Sequence, residues 1–171
     1  MESVPVTQTA DLIDGRLGRL FEMWQAASQG ERIPAKNFAD PIALHFLLGS
    51  LVLYEVERNP LRFRYRLFGS DLANQLGVER AGQYVDQRRD EEAGIANGGL
   101  LRNTAEEGRP YRAAAELKLL GGTWPSEALA VPLTNAKGEI GFILVAQVFS
   151  ANAPNQRFLI PTRTKTYSTN S

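Results

Sequence analysis

Few residues in this chain could carry out chemistry unaided. Its 171 residues include one histidine and no cysteine. Disulfides, thiolate catalysis and cysteine-ligated metal are therefore excluded. The histidine, His45, falls in an apolar stretch without a nearby acid or second histidine, and reads as a packed side chain rather than a catalyst or ligand. Asp86, Asp90, Glu91 and Glu92 form an acidic group that could be imagined around a metal ion. Their place ahead of a helical stretch fits solvated caps instead, where carboxylates complement the positive end of the helix dipole. No catalytic residue and no metal ligand is assigned. The Arg62–Arg66 run, RFRYR, interleaves aromatics with arginine, a pattern that in other settings stacks and pairs with single-stranded nucleic acid. Here 19 basic residues balance 19 acidic ones, and no second basic stretch exists. The run reads as a strand with one wet face, and nucleic acid is not an expected partner. The motifs G-x-S-x-G, G-x-G-x-x-G, H-E-x-x-H and the phosphate-binding P-loop are all absent.

What remains is a set of side chains suited to binding rather than reaction. Tyr54, Phe63, Tyr65, Tyr111, Ala113, Ala115 and Trp124 lie on the apolar faces of predicted strands. Alanines at 113 and 115 leave room beside large aromatics, and the tyrosine hydroxyls supply polar handles. Small-ligand sites are concave and mostly apolar with a few such groups. Arg66 leads into a glycine turn, where it could donate to an acidic ligand. These eight residues are the candidate ligand-binding set.

The elements that must position them follow from periodicity. Residues 1 to about 9 are polar and expected to be loose. A helix is predicted over 11–28, with Ile13, Leu17, Leu20, Trp24 and Ala27 as its apolar stripe. Leu17, Phe21 and Trp24 are its candidate contacts with a second copy, because the apolar surface is wider than one packing contact needs. Asp40-Pro41 opens a further helix carrying Ile42, Leu44, Phe46, Leu47 and Leu48, with Asp as cap and Pro at the first helical position. Strands are predicted at 51–57 and 62–68, paired antiparallel across Arg58-Asn59-Pro60, with Glu55 and Glu57 facing arginines. A short helix capped by Ser70 or Asp71 ends at Gly77. A longer one runs from the acidic group to about Glu106, weakened by Gly94, Gly98 and Gly99. Strands follow at 111–119, 124–133 and 140–149. The last is apolar on both faces and is therefore central.

Two strands, a helical crossover and three antiparallel strands give the order of the PAS fold, and local features agree. LFGSDLANQLG followed by AGQYVD resembles the PAS pattern of strand, glycine, short helix and second glycine turn. EEGRPYRAAAELKLL resembles its helix end and next strand, and WPSEALAVPLTNAKGEIGFILVAQ resembles its final hairpin. More narrowly, the chain is similar to small bacterial proteins that are a PAS domain and little else. Their opening pattern corresponds to Trp24, Gly30, Ile33-Pro34 and Asp40-Pro41, and their Tyr-Arg-Leu-x-Gly-Ser to Tyr65 through Ser70. The resemblance covers about residues 14 to 149.

It implies an α+β, PAS-like five-stranded antiparallel sheet with helices on one face and an extra N-terminal helix. The chain divides into an N-terminal helix and linker (1–39), the PAS-like domain (40–150) and a polar C-terminal tail (151–171). The implied function is a non-enzymatic sensory or adaptor domain that binds a small organic ligand and signals through protein–protein contact. The alternatives are a small enzyme with an α+β cavity, of isomerase or hydratase type, and a ligand-free interaction module. The cofactor is unknown. Covalent flavin and coumaroyl chromophores need a cysteine that this chain lacks, and haem is disfavoured because residues 91–106 contain no histidine. The expected partners are an unknown signalling protein and a second copy in a homodimer. With no apolar run near the roughly 20 residues that span a bilayer and no signal-peptide pattern at the start, no membrane partner is expected and the location is read as cytoplasmic.

Overall fold

The computed structural model describes residues 2–30, 32–95, 99–119 and 122–149. Among them, six strands form one antiparallel sheet: β1 (Ser3–Pro5), β2 (Leu51–Glu57), β3 (Arg62–Phe68), β4 (Tyr111–Leu119), β5 (Gly122–Thr134) and β6 (Ile140–Phe149). Their spatial order is β1-β4-β5-β6-β2-β3. Four α-helices accompany them: α1 (Gly15–Ser28), α2 (Ser70–Leu76), α3 (Gln87–Glu92) and α4 (Gly99–Glu107).

The two-sided apolar character of β6 places it between β5 and β2, because a strand covered on both faces needs partners and helices on both sides. Two cores result. On one face Tyr54, Tyr65, Ala130 and Val145 pack with Leu72 of α2 and Leu100 and Leu101 of α4. On the other, Leu53, Leu129, Val131 and Leu144 pack with Leu17, Leu20, Phe21 and Trp24 of α1 and with Leu44 and Leu47. Trp24 Nε1 also donates to the carbonyl of Pro132 at 3.0 Å, which fixes α1 across β5.

The sheet has one strand more than the sequence led us to expect. Residues 3–5, expected to be loose, pair with Tyr111–Ala113. The first helix starts at Gly15 rather than Asp11. The Asp11 carboxylate turns back to accept from the amides of Thr7 and Gln8, and Asp14 caps α1 by accepting from the amide of Arg16. Ile13 therefore falls before the helix and is 84% exposed, and Ala27 is also exposed.

The segment after Asp40-Pro41 is not an α-helix. Asp40 Oδ1 accepts from the amide of Ile42 at 3.0 Å, as the cap pattern predicts. The chain then makes a turn and a 3-10 helix over His45–Ser50. With three residues per turn, side chains three apart eclipse. Leu44 and Leu47 are accordingly buried while Ile42, at 83%, and Leu48 are exposed.

The turn into α2 depends on Gly69. It is the cap residue of α2, and no side chain caps that helix, neither Ser70 nor Asp71. A Cβ at Gly69 would lie 2.3 Å from the carbonyl oxygen of Gly49 and 2.9 Å from that of Leu51. The strand-to-helix corner thus presses directly on the backbone that enters β2, and only glycine fits.

Candidate functional site

Alternation along β3 sends Phe63 and Tyr65 toward the helices α2 and α4, and Arg62, Arg64 and Arg66 away from them. The outward arginines are used on the surface: Arg66 lies 3.4 Å from Glu55, and Arg62 lies 3.0 Å from Glu57, as the facing charges predicted. Arg66 is therefore separated by the sheet from the inner aromatics. The free edge of β3 is closed by residues 82–85, through Tyr65 N–H to Gln83 O and Val85 N–H to Phe63 O, both 2.8 Å.

That closing segment delivers a charged cluster to the inner face. Tyr65 Oη donates to Asp90 Oδ2 at 2.8 Å. Asp90 also accepts from Arg80 Nε at 2.8 Å, from Arg89 Nε at 3.1 Å and Nη2 at 3.2 Å, and from the amide of Asp86 at 3.1 Å. It is 0% exposed. The expectation that Asp90 is a solvated cap is thus corrected: Asp86 caps α3, accepting from the amide of Arg89, and Asp90, four residues on, faces inward. The single long helix is also corrected. Gly94, at φ +86°, turns the chain after α3, so acids expected at one helix start instead form a helix of their own ahead of α4.

Tyr54 stands beside this cluster, with its ring centroid 4.9 Å from that of Tyr65. It is 0% exposed, and its hydroxyl has no hydrogen-bond partner among the described residues. On the central strand, Gln147 is the inward polar residue. Its Nε2 donates to the carbonyl of Gly94 at 2.8 Å, tying β6 to the turn after α3.

The electrostatics fix the charge state of this buried cluster. Burial pushes the Asp90 carboxyl upward, but hydrogen bonds from Arg89, Arg80 and Tyr65 outweigh it and hold the group below its usual range. Burial raises both phenols, and for Tyr65 the neighbouring Tyr54 and Asp90 add to the rise. Asp90 stays ionised and the two tyrosines stay protonated across the neutral range. Neither Asp90 nor either phenol changes charge near pH 7, the range in which a general acid or base works best.

Of the eight residues expected to bind a ligand, Tyr54, Phe63, Tyr65, Tyr111 and Ala113 come together in the helix-side core. Ala115 is half-buried farther along β4, and Trp124 is half-buried near the start of β5. Leu17, Phe21 and Trp24, expected to meet a second copy, are buried under the chain's own sheet. Asp90, Arg80, Arg89 and Gln147 were missed. Only Gln147 carries a signal in the sequence, being polar on the inner side of a two-sided apolar strand. Among the described residues, no group of three or more His, Asp or Glu could hold a metal ion, and no helix is long and apolar enough to cross a membrane.

The first long strand, β2, lies beside the last, β6, in the middle of the sheet, and the crossover helices α2–α4 pack on one face. The fold is PAS-like. A light-oxygen-voltage domain studied with a flavin analogue is similar at 12% identity, over 72% of this chain and 93% of that one, with TM-score 0.44. The PAS domain of BvgS from Bordetella pertussis is similar at 16% identity, over 77% and 100%, with TM-score 0.38. An RNA-binding light-oxygen-voltage receptor is similar at 12% identity and TM-score 0.46, over 99% of this chain, which spans 44% of that receptor. These likenesses are distant, and the fold assignment stands on the strand order and crossover of the chain itself. No protein-family model matches the sequence, and no curated protein matches it.

Proposed function

We propose that this PAS-like chain is a sensory module. It binds a small organic molecule on the helix side of its sheet and passes its state to a partner protein by contact. The observation that carries this reading is the Tyr54 hydroxyl: fully buried, beside the Tyr65–Asp90 pair, with no hydrogen-bond partner among the described residues. An unsatisfied buried polar group costs about 1–3 kcal/mol, a cost that a ligand oxygen or nitrogen at that point removes. The ligand is held without covalent attachment, since the chain has no cysteine, and its body is apolar to match Phe63, Phe68 and Val145.

Binding is favoured over catalysis because the one buried carboxylate at the site is committed. Asp90 is saturated by two guanidiniums, a phenol and an amide. It is also the point through which occupancy reaches the surface: a ligand that takes a hydrogen bond from Tyr54 repositions Tyr65, and through Asp90 the arginines of the segment covering β3. A homodimer built on Leu17, Phe21 and Trp24 is not part of this reading, since those side chains are already covered.

A thermal-shift screen of polar-tipped apolar compounds tests it, run on the wild type and on Tyr54→Phe. The reading requires at least one compound that stabilises the wild type and stabilises Tyr54→Phe markedly less. Compounds that stabilise both equally would place the site elsewhere.

A further inference from the structure

A concavity of about 620 Å³ lies on the sheet face opposite α2–α4, beside the start of α1. That volume falls within the range of small-ligand sites, about 300–1,000 Å³. Its apolar surface comes from Ile13, Ala114, Pro125, Val148 and Phe149. Two of its carboxylates are already committed. Asp14 pairs with Arg16 at 2.9 Å. Glu127 is buried, accepts from the amides of Ile13 and Asp14 at 2.9 and 2.8 Å, and pairs with Arg112. Two other lining groups are not saturated. Arg112 has five N–H donors, and only that of Nε is used, on Glu127. This pairing balances the charge of Arg112 but leaves Nη1 and Nη2 without a partner among the described residues, on a side chain only 17% exposed. Glu116 is exposed, and its carboxylate has no ion pair or hydrogen bond among the described residues.

The geometry points to an elongated zwitterion as the ligand of this concavity: an apolar chain lying along β4, with a carboxylate on the free Arg112 donors and an ammonium on Glu116. Alternation along β4 puts Arg112, Ala114 and Glu116 on one face of the sheet. Four strand residues span about 13 Å, and the small side chain of Ala114 leaves that length open. Pro125 and Val148 flank it from β5 and β6 and cover an apolar chain. The planar guanidinium fork matches the two oxygens of a carboxylate. Since Glu127 already balances the charge of Arg112, donor geometry rather than net attraction holds that end. The uncompensated charge at the site is that of Glu116, and it selects a cation for the other end. A ligand with only one of these ends leaves either the fork or the free carboxylate unmet. The site is independent of the Tyr54 reading, because Tyr54 belongs to the core on the other face.

The test titrates the nitrogen-15-labelled full chain with 8-aminooctanoic acid, and with octanoic acid and octylamine as one-ended comparisons, following amide chemical shifts. Saturable shifts are expected at residues 112–116 and 125–127, with 8-aminooctanoic acid bound several-fold more tightly than either comparison. Glu116→Gln, an exposed change at a side chain without a partner, leaves the fold intact. It should weaken 8-aminooctanoic acid and octylamine several-fold and leave octanoic acid unchanged. Arg112→Lys keeps a counter-charge for Glu127 but removes the fork, and should weaken the two acids and spare octylamine. Tyr54→Phe should bind all three as the wild type does. The assignment is overturned by an absence of saturable shifts, by shifts that map elsewhere, or by a one-ended compound that binds as tightly as 8-aminooctanoic acid. Binding indifferent to Glu116→Gln, or abolished by Tyr54→Phe, would overturn it equally.

Discussion

Tyr65 and Asp90 are 25 residues apart in sequence and meet at 2.8 Å inside the core, the phenol donating to the carboxylate. This contact joins the edge strand β3 to the short helix α3, in which Asp90 is the one buried residue. Removing the charge leaves Arg80 and Arg89 facing a buried space, and breaking one side of a buried pair costs about 3–5 kcal/mol. Because Arg89 is partly exposed and can rehydrate, the lower end of that range is expected for Asp90→Ala. Tyr65→Phe removes one hydrogen bond to a charged group and leaves the arginines in place, for a loss of about 1.5–3 kcal/mol. Urea denaturation of the two variants checks the order.

The sign of the pH dependence follows from the same cluster. Asp90 is held below its unfolded value of 3.8. Its contribution to stability is therefore fully present above that pH and is lost as pH falls through the lower folded value. Wild-type protein should lose stability in acid below about pH 4 more steeply than Asp90→Asn, so that the gap between them narrows. Parallel acid curves for the two proteins would mean that Asp90 does not titrate in the folded state as its partners require.

Tyr54→Phe should behave differently from Tyr65→Phe although both lose one hydroxyl from the same core. With no partner to lose, the ligand-free Tyr54→Phe protein is expected to be as stable as the wild type or more so, by up to about 1 kcal/mol. A loss above that size in ligand-free protein would show that the hydroxyl is satisfied by something other than a ligand.

Glu127→Gln tests the link between the sheet and α1. The buried Glu127 carboxylate accepts from the amides of Ile13 and Asp14 at 2.9 and 2.8 Å and pairs with Arg112; the neutral side chain keeps its shape but weakens these contacts and leaves Arg112 without its counterion. A loss of about 2–4 kcal/mol is expected. Hydrogen exchange at the amides of Ile13 and Asp14 should accelerate more than exchange in the middle of α1.

Gly69→Ala probes the corner between β3 and α2. Its methyl would meet backbone carbonyls of Gly49 and Leu51, which have no side-chain freedom with which to yield. Overpacking of this kind costs about 1–3 kcal/mol. Gly82→Ala, which meets nothing within 4 Å but has φ +83°, is the comparison: it is strained by backbone conformation, not by contact. Chemical shifts should change near residues 49–51 in the first variant only.

Much of this architecture was legible because strands announce themselves by alternation. β2, β3, β4 and β6 start and end where period-2 patterning places them, and the two-sided apolar residues of 140–149 sit in the middle of the sheet. The failures have physical causes. β1 is three residues long, Ser-Val-Pro, too short to show an alternation, and it pairs with the edge that β4 offers. The Leu44–Leu48 segment reads as an α-helix by composition, but a 3-10 winding buries every third residue, which no 3.6-residue stripe describes. The inner aromatics at 54, 63, 65 and 111 were found by face. Asp90 was not, since its acidic neighbours and helix-start position are those of a surface cap, and only the fold brings Tyr65, Arg80 and Arg89 around it.

The central claim is that the helix side of the sheet holds an organic ligand through Tyr54. Native mass spectrometry of the full chain, purified under gentle conditions from the cells that make it, tests this most directly. The account predicts a species heavier than the bare chain by the mass of a small molecule, released on acid denaturation and much reduced in Tyr54→Phe prepared the same way. A wild-type mass equal to that of the bare chain, or an adduct retained undiminished by Tyr54→Phe, would contradict it.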